Sequence, residues 1–158
     1  MKRLAAVLSI ALLVGSLAVT QPAYASTTSP AITATTSLGS VPTGVAITPT
    51  GSNVYVANAG ATSIADVATT TMSVVQDIIT NAGSIGIASD GSNNTIYVAL
   101  PVSDAIDAIS TSTNAITDTI SLRSSPGNMT FDPSNGQLYA SLGPANSIID
   151  INTSTNSL

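Results

Sequence analysis

Cysteine, histidine and glutamate are absent from this chain, and lysine occurs once, at Lys2. Without histidine or cysteine, Ser-His-Asp and Cys-His catalysis are excluded, as is a zinc or iron site held by imidazole. Without cysteine there are also no disulfides, so the fold must be held by packing alone. Positive charge is nearly missing: Lys2, Arg3 and Arg123 are the whole supply. Nucleic-acid binding needs a Lys/Arg footprint to neutralise phosphates, and attraction to an anionic membrane needs the same residues. Neither footprint can be built here. Low charge combined with 44% apolar residues also argues against disorder.

Two of the three basic residues belong to a processing segment. Lys2 and Arg3 form a positive n-region, Leu4 to Val19 an apolar stretch, and Ala23-Tyr24-Ala25 a small-x-small cleavage site before Ser26. Residues 1–25 therefore read as a signal peptide. The apolar stretch is shorter than the roughly 20 residues that a membrane-spanning helix needs. The expected product is a secreted, extracellular or periplasmic protein with no membrane insertion after cleavage. Its mature part, residues 26–158, carries eight aspartates against one arginine, a net charge of −7.

What the mature chain does contain is a repeat. Tyr55, Tyr97 and Tyr139 stand 42 residues apart, each opening a similar tetrapeptide: Tyr55-Val-Ala-Asn, Tyr97-Val-Ala-Leu and Tyr139-Ala-Ser-Leu. Ile64, Ile106 and Ile148 follow nine residues later in the same register, and Pro42 aligns with Pro126, Gly44 with Gly86. A constant period near 40 is one supersecondary unit copied in series. Within the first copy, short runs rich in Val, Ile, Thr and Tyr alternate with turn clusters such as Thr48-Pro-Thr-Gly-Ser-Asn53. Each run is too short, and too often interrupted by Asn, Gly and Pro, to be a helical stripe. Four strands per copy are predicted, near residues 45–47, 54–57, 63–67 and 73–79, and again near 85–89, 95–100, 105–110 and 115–122. The third copy has three, near 128–131, 137–142 and 147–151. This is an all-β chain of the β-propeller class, built of 42-residue four-stranded blades. Three blades are present, near 42–83, 84–125 and 126–158.

The run Pro42-Thr-Gly44-Val-Ala-Ile-Thr-Pro49, followed by Val54-Tyr-Val-Ala-Asn58 and Ser63-Ile-Ala-Asp66, resembles the YVTN repeat of β-propeller proteins. That family is common among bacterial and archaeal cell-surface and surface-layer proteins. The resemblance extends from about Ala31 to the end, departs from the family in blade number, and has Ser84 where the family places proline. It implies a scaffold and names no active site. Propellers more distantly similar act as lactonases, but the His, Arg and Glu groups of such sites have no counterparts here. In a blade of this kind the first strand lies nearest the axis. Ile47, Ile87, Met129 and Phe131 would then fill the centre, while the tyrosines and Ile64, Ile106 and Ile148 would pack blade on blade.

The segment Ala31–Leu38 matches Ala115–Leu122 when shifted by 84. It is predicted to be an outer strand that completes the last blade, since closure removes open sheet edges. Propellers typically have four to eight blades, which leaves three arrangements: a partial propeller whose other blades are absent, an open arc stacked against another chain, or two chains joined head to tail by strand exchange into one six-bladed ring. Partners would accordingly be a second copy or other cell-surface proteins and glycans.

The sequence nominates no catalytic, cofactor-binding or metal residue. Asp90 and Asp132 recur in the first turn of their copies, and Asp66 and Asp150 at the end of the third strand. Recurrence of this kind is read as turn chemistry, because aspartate bonds the backbone amides that follow it. Calcium would take six to eight oxygens, more than Asp132-Pro-Ser-Asn-Gly136 supplies. Asn93, Asn128 and Asn152 head glycosylation sequons in a chain so rich in Ser and Thr that such matches arise by chance. The expected function is an exported, non-catalytic scaffold or binding module, with a degenerate lactonase-like or quinoprotein-like propeller enzyme as the alternative.

Overall fold

A computed structural model describes residues 31–158; the signal-peptide reading of residues 1–25 lies outside them. Eleven strands follow one another. The first sheet is β1 (Pro42–Ile47), β2 (Asn53–Asn58), β3 (Ser63–Ala68) and β4 (Ser73–Ile79). The second is β5 (Ile87–Asp90), β6 (Thr95–Leu100), β7 (Ala105–Ser110) and β8 (Ile116–Ser121). The third is β9 (Pro126–Asp132), β10 (Gln137–Leu142) and β11 (Ser147–Asn152). Neighbouring strands are antiparallel and consecutive in sequence, so each sheet is a meander and each meander is one copy of the repeat. A single 3-10 turn, Pro101–Ser103, interrupts the second copy between β6 and β7, where sequence periodicity gives no warning.

Alternation along each strand sends side chains to two faces. The face bearing Tyr55, Ala57, Ile64 and Ile78 of the first sheet packs against Ile87, Ile96 and Val98 of the second. One period on, Tyr97, Ile106 and Ile120 of the second sheet pack against Leu138, Ala140 and Ile151 of the third. Both tyrosines are almost fully buried, and Ile64 and Ile106 completely so. The expected packing of blade on blade is therefore realised twice. On the outward face of the third sheet the same positions are open: Tyr139 is half-buried and Ile148 is 74% exposed.

The innermost strands β1, β5 and β9 lie side by side. Their approach is close enough that a Cβ at Gly86 would collide with the carbonyl oxygen of Gly127, so glycine is required there. Ile87 is buried in this region, but Ile47 is 55% exposed and Phe131 half-buried, so the expected filling of the centre is partial.

The opening segment departs from expectation. Residues 31–38 form no strand and complete no blade. Leu38 instead packs on Val54, Val56, Ala65 and Val67, the outward face of the first sheet, and the Thr36 hydroxyl donates to the Met72 carbonyl. The likeness to Ala115–Leu122 reflects a shared alternation of small and apolar residues. Here that alternation covers an apolar face rather than pairing with a backbone edge.

If Tyr97 is a buried interface residue, Tyr97→Ala should cost about 3–5 kcal/mol of stability in urea denaturation. Ile148→Ala, at the equivalent of a buried isoleucine but on the open face, should change stability by less than about 0.5 kcal/mol. Leu38→Asp should cost about 1–2 kcal/mol, because it strips apolar cover from the first sheet.

Candidate functional site

The polar side chains that the fold brings together lie between blades. Across the first sheet, Tyr55, Asp66 and Gln76 stand opposite one another in register, on the face that meets the second blade. Into that row reaches Asn114, from the turn joining β7 to β8. The Tyr55 hydroxyl donates to Asn114 Oδ1 at 2.6 Å, and Asn114 Nδ2 donates to Asp66 Oδ2 at 2.9 Å and to Gln76 Oε1 at 3.3 Å. Asp66 Oδ1 is held from its own sheet by Asn53 Nδ2 at 2.7 Å. One period later the Tyr97 hydroxyl donates to Asn156 Oδ1 at 2.7 Å, and Asn156 Nδ2 to Asp118 Oδ2 at 3.1 Å. Both asparagines adopt left-handed backbone, with φ of 54° and 51°. Asparagine tolerates that conformation better than most side chains, and it aims the amide across the gap.

These asparagines were legible in the sequence only as turn residues. The signal that finds them is the spacing of 59 from each tyrosine, shared by Tyr55–Asn114 and Tyr97–Asn156. In the first copy the position is filled by Met72, also left-handed at φ 50°. No blade precedes it among the described residues.

The aspartates divide in their roles. Asp90 and Asp132 cap turns as the sequence predicts: the Ser92 and Ser134 amides donate to their respective Oδ1 atoms at 2.8 and 2.9 Å, and the serine hydroxyls at 2.6 and 2.7 Å. Burial pushes the Asp90 carboxyl up, but hydrogen bonds from Ser92, Thr153 and Asn93 outweigh it and hold the group below the usual carboxylate value. Asp66 and Asp150 correct the turn reading. Asp66 is a buried strand residue bridging two blades, and Asp150 is its exposed counterpart on β11. Among the described residues no three aspartates converge as metal ligands would.

The inner strands supply an open, largely apolar hollow lined by Ile47, Pro49, Phe131 and Pro133, with Ser89 and Ser92 at its edge. No carboxylate lines it. Of the sequons, Asn128 and Asn152 are exposed, and Asn93 donates to Asp90 Oδ2 and to the Thr153 carbonyl, both at 3.1 Å.

No protein-family model matches the chain, and no curated protein does. Solved structures do. Hydrazine synthase of Kuenenia stuttgartiensis superposes with a TM-score of 0.69 at 18% identity, over 81% of this chain and 38% of that one. U3-55K gives 0.69 at 15% identity over 77% and 39%, and the WD40 repeats of RRP9 give 0.69 at 16% over 77% and 38%. At these identities the likeness is one of fold, and the fold is the β-propeller. The chain spans less than two fifths of the length of each of these structures.

The buried phenols make the interfaces sensitive to alkali. Burial, followed by the negative charge of Asp66, pushes Tyr55 up to about 12; burial, then Asp90 and Asp118, pushes Tyr97 up to about 12. A pKa raised on folding contributes stability that is complete below the unfolded value of roughly 10 and lost as pH rises through the folded one. Unfolding should therefore set in between about pH 10 and 12, with tyrosinate absorbance and loss of β-sheet signal rising together. A Tyr55→Phe, Tyr97→Phe variant should be less stable at pH 7 but lose less on going to alkali. At the acid end the sign reverses. The depressed Asp90 contributes stability above its unfolded pKa of roughly 3.9 that is lost as pH falls through its folded value, so Asp90→Asn should flatten the acid limb of a urea stability profile.

Proposed function

We propose that this chain is an exported, non-catalytic β-propeller module that serves as a cell-surface or extracellular scaffold or binding element. The observation that carries this reading is the employment of the aspartates. Acid–base catalysis with the residues available would have to rest on them. Yet Asp66, Asp90, Asp107, Asp118 and Asp132 each accept hydrogen bonds that fix a turn, a strand pair or a blade interface. Export is supported by the leader composition of residues 1–25, and placement at the cell surface by the resemblance to YVTN repeats. In that setting the partners are other surface proteins or glycans, met by the apolar hollow at the inner strands.

Expression of the whole chain in a bacterial secretion host tests the first half. The expected product is exported, with an intact mass that begins at Ser26. A product retaining residues 1–25 and fractionating with membranes would overturn export. Assays of the purified protein against lactones, and with redox dyes as electron acceptors, test the second half. Turnover abolished by a single Asp→Asn substitution would overturn the non-catalytic reading.

A further inference from the structure

In the second sheet Ile87, Ile96, Val98 and Ile109 face the first blade and are buried against it. One period earlier, on the outward face of the first sheet, the same positions hold Val45, Val54, Val56 and Val67. Three isoleucines are thus replaced by valines, each shorter by one carbon. Val45 pairs with Val56 and Val54 with Val67 across neighbouring strands, so the four make one continuous floor. Leu38 lies over that floor, and the Thr36 hydroxyl fastens its segment to the Met72 carbonyl. The carbon that the valines lack is not replaced from above. A cavity of about 200 Å³ remains between floor and cover, with Met72 as its end wall. Val56 and Val67 are buried at its base, while Val45 is 70% exposed and marks its mouth.

The lining decides what can enter. Water needs two or more polar partners to settle in a cavity, and the lining side chains offer one hydroxyl, Thr36, whose proton is already given to Met72. No charged side chain lines it, so an ionic ligand meets no counter-charge, and no aromatic ring lines it, so an aryl ligand gains no ring contact. Valine is stiff about its first side-chain torsion, which leaves the floor preformed. Met72 is the adaptable wall, an unbranched thioether that can shift to fit an occupant. It stands in left-handed backbone, φ 50°, where the later copies place Asn114 and Asn156. That conformation is costly for methionine, and strain of this kind gathers where ligands are held.

We infer that this cavity is a binding site for the unbranched alkyl chain of a small uncharged molecule, which enters past Val45 and ends against Met72. The chain comes from solution and not from a bilayer, because Arg123 alone supplies no basic patch to draw the protein to an anionic membrane. The inference rests on the reading of the chain as a binding element and names one ligand class, at a place separate from the hollow at the inner strands. It uses neither export nor the absence of turnover, so its failure is distinguishable from theirs.

Methyl NMR of methionine tests it, since Met72 lines this cavity and Met129 lies among the inner strands. Titration with straight-chain butanol, pentanol and hexanol should move the Met72 methyl saturably and leave Met129 in place. Each added methylene should tighten binding by about fourfold, the gain from burying one such group. Val54→Ile with Val67→Ile restores the side chains of the second copy and fills the cavity. That variant should bind hexanol roughly tenfold or more weakly, the room of two methylenes being taken.

Shifts that rise without saturation, or that move both methionines alike, would reduce the effect to general partitioning and overturn the inference. So would a filled variant that binds hexanol as the native chain does. Far-UV spectra establish that the variant is folded. If the added carbons unfold it, Leu38→Ala puts the same question from the other side. Removing that cover should weaken hexanol binding by about fourfold or more, and unchanged binding would overturn the inference.

Discussion

The sheets described here meet through apolar faces, and a sheet that left such a face in water would not be stable by itself. Each blade is therefore a partner for its neighbours before it is anything else, as in other repeat architectures where stability resides in the contacts between units. The 42-residue register follows from this. A blade must present the same contacts to the next blade that it received from the previous one, so the positions of Tyr55, Tyr97, Ile64 and Ile106 are copied along with the strands. The glycines at the axis answer to the same demand, since Gly86 lets the innermost strands close up on Gly127.

Within those apolar interfaces the polar contacts supply direction. A phenol and a carboxylate on one sheet meet a carboxamide on the next, so the two sides of an interface are chemically unlike. Buried hydroxyls, carboxylates and amides are costly when unpaired. A blade shifted by one residue would bury Tyr97 and Asn156 without each other. The asparagine network thus fixes register in a contact that apolar packing alone would leave free to slide.

Much of this was readable from the residues, because strands, turns and blade count leave a periodic trace. Tyr55, Tyr97 and Tyr139 repeat without a gap, and the Asp90 and Asp132 turns follow from the local chemistry of aspartate. What escaped was whatever depended on the neighbour across an interface. Asn114 looks like any turn asparagine until the facing sheet is known. Asp66 and Asp150 share a position in the repeat, but one is buried and the other exposed, because among the described residues a blade packs on the first of them only. Leu38 was misread for the same reason: its alternating surroundings suit a strand edge and an apolar face equally well, and only the location of the uncovered face decides between them.

The interface chemistry has a bearing on the settings in which such a module would keep its form. Residues 26–158 carry seven surplus negative charges, and interactions between charges weaken as salt rises. Here the principal links between blades join a neutral phenol to a neutral amide, which meets a buried carboxylate at Asp66 and an exposed one at Asp118, and no lysine or histidine takes part. Added salt would screen the repulsion among the exposed aspartates while leaving the phenol–amide bonds, which join neutral groups, almost untouched.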